Sequence, residues 1–387
     1  MSTRRDRRRR GVRLAALAKL VWVGMAFFAC PPIHAQPSIA GPPRDASDSA
    51  SEAETAASES LAIDSWYGDN LRFGHLGGHP QRQINLLGSV RSSEPIDSVT
   101  YQLDRGPALP LTFQTSNPRL TRQGDFNIEL DRKDLDDGLH RARVTAVDRA
   151  GHSTTRQITF AMLPESAERW PKVYDIRWSD VSRIDDVIQV VDGHWGLTDQ
   201  GIRTLSPGYD RMLAIGDDSW KNIEVQTTFW LHGVTPPSSE KNRTGVSHVA
   251  IAHRWPGHTS DGRQPSVRWH PLGATAEFRL GNLKQARWRI FDAYCCYVEG
   301  RRRRVIEMDH PYRINHRVQS TTDGTAVYRV KCWDADLAEP QAWDLTRIES
   351  KENVPTGSSC LIAHFTDVTF GDVRVLPLPV LERLPAE

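Results

Sequence analysis

The residues best equipped for chemistry lie in the second half of the chain: Arg254-Trp255, Gly257-His258 and Arg268-Trp269-His270, with Trp230 and His232 upstream. A sugar site needs an aromatic platform for the apolar face of the ring and fixed donors and acceptors for its hydroxyls, which Trp, Arg and His supply. Trp230, Arg254, Trp255, Arg268 and His270 are therefore the candidate ligand-binding set. Arg254 and Arg268 could also grip a uronate carboxylate through paired hydrogen bonds. The competing reading makes Trp255 and Trp269 core residues, with their arginines solvated at the rim.

Catalysis is a second possibility. A lyase needs a His or Tyr to remove the proton beside a uronate carboxyl and a cation to hold the charge that develops; His270, Tyr312 and Arg254 could fill those roles. Hydrolysis needs paired carboxyls, for which Glu307, Asp309 and Asp367 are available, although each also suits a turn or a salt bridge. The histidines at 253, 258, 270, 310, 316 and 364 raise the question of a metal, but their spacing matches no helical zinc motif. Asp131, Asp134, Asp136 and Asp137 could gather around calcium, a hard cation that prefers oxygen, yet they lack the spacing of an EF-hand and suit a solvated turn equally well. Arg301 to Arg304 form a basic tetrad that could attract an anionic polysaccharide or occupy a hairpin tip.

Five cysteines occur in the chain. Cys295, Cys296, Cys332 and Cys360 are disulfide candidates in an oxidising compartment, with Cys332 and Cys360 the natural partners of the adjacent pair, whose side chains would point to opposite faces of a strand.

Strands must position these groups. Ile223, Val225, Thr227, Phe229 and Leu231 alternate with Glu224, Gln226, Thr228, Trp230 and His232, the period of a strand with unequal faces. Similar runs recur at 248–255, 267–270, 277–280, 286–291, 312–318, 326–333 and 360–368, with no long amphipathic helix between them. Antiparallel pairing accounts for this better than βαβ units. Upstream, Val99-Tyr101-Leu103 and Phe126-Ile128-Leu130 belong to a smaller all-β module of about seven strands. The expected architecture is all-β, with two sandwiches at 61–163 and 173–379, a connection at 164–172 and a tail at 380–387.

The chain carries 49 Lys plus Arg and 48 Asp plus Glu, a net charge of +1. Residues 1–35 hold seven Arg, one Lys and one Asp, so the remainder stands at 41 positive against 47 negative, or −6. That balance gives no reason to invoke nucleic acid. The basic start, the apolar run from Leu14 to Ala29 and the Ile33-His34-Ala35 site describe an export signal at 1–35, followed by a polar tether at 36–60. The expected location is secreted or periplasmic, with no membrane span in the mature form; lipid attachment at Cys30 is a weaker alternative.

Two resemblances add to this. The stretch 83–162, through Ile84-Asn85-Leu86-Leu87-Gly88, Gly124-Asp125-Phe126-Asn127 and Ala146-Val147-Asp148-Arg149-Ala150-Gly151, resembles bacterial immunoglobulin-like modules. The stretch 174–376, through Asp192-Gly193-His194-Trp195, Ala214-Ile215-Gly216-Asp217-Asp218-Ser219-Trp220 and Phe370-Gly371-Asp372-Val373, resembles the concanavalin A-like lectin and glucanase superfamily in its laminin-G-like form. The second resemblance implies a jelly roll and recognition of an extracellular polysaccharide or cell-surface glycan. The Glu-x-Asp-x-x-Glu pattern of family 16 glycoside hydrolases is missing, which weakens that enzymatic reading. A polysaccharide-cleaving enzyme and a structural or adhesive surface protein remain the alternatives.

Overall fold

A computed structural model describes residues 61–74, 81–164, 171–235, 246–269, 273–281, 283–292, 296–350 and 354–384. The expected signal, tether and Cys30 lie outside the described residues, as do Cys295 and His270. Among the described residues no helix is long and apolar enough to cross a membrane. The described residues form strands with short 3-10 turns at Arg132–Asp134, Trp178–Asp180 and Ile184–Asp186.

Among the described residues the smaller sandwich has eight strands: β1 (Ala62–Ser65), β2 (Asn70–Phe73), β3 (Gln83–Arg91), β4 (Ile96–Leu103), β5 (Ala108–Pro110), β6 (Asp125–Asp131), β7 (Gly138–Asp148) and β8 (Ser153–Met162). One sheet runs β1-β3-β6 and the other β2-β8-β7-β4-β5. Alternation assigns the core: Val99, Phe126, Ile128, Ala142, Val144, Ile158 and Phe160 all turn inward. Burying each large apolar side chain contributes about 1.5–3 kcal/mol before chain entropy is set against it.

The larger sandwich follows: β9 (Tyr174–Ile176), β10 (Gln189–Asp192), β11 (Trp195–Thr198), β12 (Gly201–Thr204), β13 (Arg211–Ile215), β14 (Ile223–Val234), β15 (His248–Trp255), β16 (Ala274–Arg279), β17 (Arg287–Phe291), β18 (Tyr297–Glu299), β19 (Pro311–Ser320), β20 (Ala326–Asp334), β21 (Leu345–Glu349), β22 (Ser358–His364) and β23 (Thr366–Pro377). A seven-stranded sheet runs β10-β13-β22-β15-β16-β17-β18. Its partner runs β11-β12-β23-β14-β19-β20-β21, with β9 paired to β23. Val225, Phe229, Ile251, Phe278, Ile314, Val330 and Phe370 fill the space between them. The strand expected at 267–270 is not formed over its described residues; Arg268 makes only an isolated bridge to Thr259.

The two sandwiches belong to one compact unit and are joined through a buried polar seam. The Arg119 side chain is wholly buried: its Nε donates to both Asp192 carboxylate oxygens at 2.9 Å, and its Nη1 donates to Glu129 at 2.7 Å and to the Ser266 carbonyl at 2.5 Å. Gln189 donates to the Gln83 carbonyl and to Asn85, and Asn127 donates to Asp192. Trp66 stacks on His194 with ring centres 4.7 Å apart, and the Tyr67 hydroxyl donates to the Gly193 carbonyl at 2.7 Å. Gly193 has φ +94, and a Cβ there would lie 2.6 Å from the Arg211 Cδ, so the turn that docks on Tyr67 accepts little else. Burial alone would push the Glu129 carboxyl up; Arg119 and His258 overcome it and hold that carboxyl well below the usual range.

The cysteine expectation needs correcting. Cys296, Cys332 and Cys360 are free thiols. Cys296 is exposed, whereas Cys332 is buried between the sheets and Cys360 is buried on the opposite side of the seven-stranded sheet with Met212 and Trp255, so neither forms the expected bond to Cys296.

Candidate functional site

The outer face of the eight-stranded sheet is built by the alternation that fills the core. When Val225, Thr227 and Phe229 point inward, Gln226, Thr228 and Trp230 must point outward. Register carries this across the sheet. One row runs Asp175, Arg374, Gln226, Asn315, Lys331 from β9 through β23, β14 and β19 to β20. The next includes Thr228, Arg313 and Trp333. A row of five strands spans about 19 Å, four steps of the usual inter-strand spacing.

A hollow of about 270 Å³ opens on this face, and Arg177, Gln226, Thr228, Arg313, Trp333 and Arg374 are among its lining residues. Several polar groups on this face have fixed partners. Lys331 pairs with Glu339 at 2.8 Å, and Asn315 Nδ2 donates to the same carboxylate at 3.3 Å. Asp372 accepts from the Trp178 backbone N–H, and Arg374 lies 3.6 Å from Asp175. Two buried atoms have no protein partner: the indole N–H of Trp333 and the side-chain oxygen of Asn315. Arg313 is exposed beside them. Trp343 receives the Lys331 ammonium over its ring at 4.6 Å and Arg317 at 5.0 Å. An aromatic surface, an unpaired donor, an unpaired acceptor and an exposed guanidinium thus share one face.

Of the residues nominated from sequence, Trp230 lies on this face, half-buried against Gly371. His232 beside it is fully engaged, with Nδ1 2.5 Å from Asp309 and Nε2 2.8 Å from the Thr369 hydroxyl. Arg254 and Trp255 do not join them. Both are buried in the other sheet, Arg254 donating to Asn222 and Ser320, and Trp255 packing on Trp269 and His258 under the 256–269 loop. The cause is a bulge: Arg254 has φ 58, and the β15–β22 register shifts between Ala252 and Trp255. Arg268 is exposed on that loop.

Of the catalytic trio, His270 lies outside the described residues, and Tyr312 and Arg254 are both buried and engaged. The Tyr312 hydroxyl accepts the Glu307 backbone N–H at 3.0 Å, and its ring packs on Phe229 inside the core; burial pushes the hydroxyl up, away from the range of a base. The Glu307 side chain is exposed, and Asp367 is clamped by Arg203 through bonds of 2.9 and 2.8 Å. The arginine tetrad is partly pinned, with Arg302 and Arg304 both paired to Asp344.

The sequence reading missed Arg313, Asn315 and Trp333. The signal was present in the alternation of β19 and β20, once Ile314, Val330 and Cys332 are taken as inward.

Metal candidates resolve differently. Asp131 caps the 132–134 turn, and it does not gather with Asp134, Asp136 and Asp137 into a group of ligand atoms. Among the described residues, Asp210, His248 and His364 bring potential ligand atoms within 4.8 Å of one another on the outer face of the seven-stranded sheet. His253 and His316 instead stack between the sheets with ring centres 4.3 Å apart, and burial pulls the His253 imidazole down to about 3.

No protein-family model matches the chain, and no curated protein does. Among solved structures, the chain shows partial likeness to the carbohydrate-binding module CBM66 from Bacillus subtilis, at 12% identity over 48% of this chain and 92% of that one, with a TM-score of 0.33. The exoplasmic/lumenal domain of VIP36 in its Ca2+/Man2-bound form gives 15% identity over 50% and 82%, with a TM-score of 0.32. An endo-beta-1,4-glucuronan lyase from the fungus Trichoderma reesei gives 12% over 54% and 95%, with a TM-score of 0.33. Likeness at this level concerns the fold and says nothing of the site.

Proposed function

We propose that this is an exported glycan-binding protein whose larger, concanavalin A-like sandwich holds an extracellular polysaccharide across the outer face of its eight-stranded sheet, with the immunoglobulin-like sandwich fixed behind it. The observation that carries the reading is Trp333 and Arg313 lining one hollow, with Asn315 in the neighbouring register row of the same face. The indole N–H and the amide oxygen are buried without partners, and leaving such atoms unpaired costs about 1–3 kcal/mol each. Sugar hydroxyls both donate and accept, so one ligand class satisfies both atoms.

The test is retention on a panel of immobilised polysaccharides, with soluble products measured in the same incubations. Trp333→Ala and Arg313→Ala should each weaken retention at least tenfold, about 1.4 kcal/mol. Arg268→Ala, on the loop over the other sheet, should leave it unchanged. Retention that survives both hollow variants would sink the assignment of this face, and release of new reducing ends or unsaturated uronates would convert the reading to that of an enzyme.

A further inference from the structure

The Asp210–His248–His364 group lies on a different sheet and plays no part in the proposed glycan face. His248 and His364 are direct cross-strand partners on β15 and β22, and their rings lie parallel, 4.4 Å apart with 8° between planes. Each ring commits one nitrogen. His364 Nδ1 is 2.6 Å from the Asp210 carboxylate, and His248 Nδ1 is 2.9 Å from the Val246 carbonyl. Those bonds set both tautomers, so each Nε2 keeps its lone pair. His364 is 2% exposed and its Nε2 has no partner. His248 Nε2 stands 3.7 Å from the Glu277 carboxylate, beyond hydrogen-bonding distance.

We infer that this group is a binding site for a divalent transition-type cation of the zinc class, with His364 and His248 donating through Nε2 and Asp210 orienting the His364 ring through its Nδ1. Two imidazole nitrogens form a borderline donor pair; calcium would ask for six or more oxygens. A carboxylate bonded to the far nitrogen of a ligating histidine is the arrangement that fixes such rings around zinc. The distances are within reach. One potential ligand atom on each of the three residues lies within 4.8 Å of the others, and the two ring centres are 4.4 Å apart. The parallel rings must also turn in toward each other to aim both lone pairs at one ion. The Asp210 side chain keeps 13% exposure, which gives the ion a route in from solvent.

The test uses the untagged full chain stripped with chelator and titrated with Co2+ alone, read by visible absorption. One equivalent with the intensity of a four-coordinate site, displaced by Zn2+ and untouched by millimolar Ca2+, is the expected result. His364→Gln and His248→Gln, each checked for folding by circular dichroism, should each weaken binding at least a hundredfold. No cobalt band in the native chain, displacement by Ca2+, or undiminished binding in the folded variants would each overturn the proposal. Should the variants fail to fold, X-ray absorption on the zinc-loaded native chain decides: two imidazole ligands support the site and fewer refute it.

Discussion

Replacing Arg119 with leucine should destabilise the folded chain by about 3–5 kcal/mol at pH 7, because it strands two buried carboxyls rather than deleting one bond. Asp192 and Glu129 have 1% and 4% side-chain exposure, and Arg119 reaches both. Without it Glu129 keeps His258 at 3.3 Å and the Ser266 N–H at 3.1 Å, while Asp192 keeps one bond from Asn127 at 3.0 Å. The penalty should also depend on pH, with a definite sign. In the native chain burial pushes Asp192 up against the pull of Arg119 and Arg211, and Glu129 is held low. Loss of the guanidinium raises both folded carboxyls, so the folded variant binds more protons than the folded native chain while the unfolded states match. The penalty therefore shrinks as pH falls, by about 1.4 kcal/mol for each unit of pKa rise that is titrated. Urea unfolding of both proteins between pH 7 and pH 5 measures it. A penalty under about 1 kcal/mol, or one that is flat or grows toward pH 5, would refute the idea that this ion pair holds the seam.

Gly371→Val tests the packing behind the glycan face. A Cβ at 371 would sit 3.1 Å from Trp230 Cζ3 and 3.4 Å from Thr228 Cβ, so the indole must tilt. We expect a stability loss of about 1–3 kcal/mol and glycan retention weakened to the level of Trp230→Ala; full retention in both variants would remove Trp230 from the ligand path. The buried His253 predicts an acid-sensitive core. Its folded value near 3 lies below the unfolded value of about 6.5, so the unfolded chain binds the extra proton and stability falls as pH drops through that interval. His253→Gln should flatten this limb of the stability curve, and an unchanged slope would show that His253 does not set it.

The core side of the fold was legible because period-two alternation survives in β14, β19 and β20, and inward Phe229, Ile314 and Val330 are where it puts them. Alternation failed at β15, since Arg254 adopts a left-handed backbone and Gly273 and Gly357 close against the bulge. A Cβ at Gly273 would lie 2.4 Å from the His253 carbonyl oxygen, and one at Gly357 would lie 2.4 Å from the Arg254 carbonyl carbon. Arg254 was thereby turned toward Asn222 and toward Ser320 of the other sheet, and Trp255 onto the outer face beneath the 256–269 loop. The seam was illegible for another reason: the partners of Asp192 and Gly193 are Arg119 and Tyr67, 73 and 126 residues upstream, and no local pattern announces a contact at that range.

That seam also bears on where a ligand can go. Asp192, Gly193 and His194 look like a turn within a lectin-like sandwich, yet their carboxylate, carbonyl and ring are all engaged by the smaller sandwich. The outer face of the seven-stranded sheet is further closed where Trp255 and Cys360 pack beneath Trp269 and the 256–269 loop, itself bonded to Gln83 and Asn117 of the smaller sandwich. Two sheets offer two outer faces, and docking one of them leaves the Gln226–Asn315–Trp333 face as the broad polar surface. A variant that loosens the seam, such as Arg119→Leu, should therefore lower stability while leaving glycan retention of the still-folded fraction intact. Loss of retention in proportion to seam damage would mean that the ligand contacts both sandwiches.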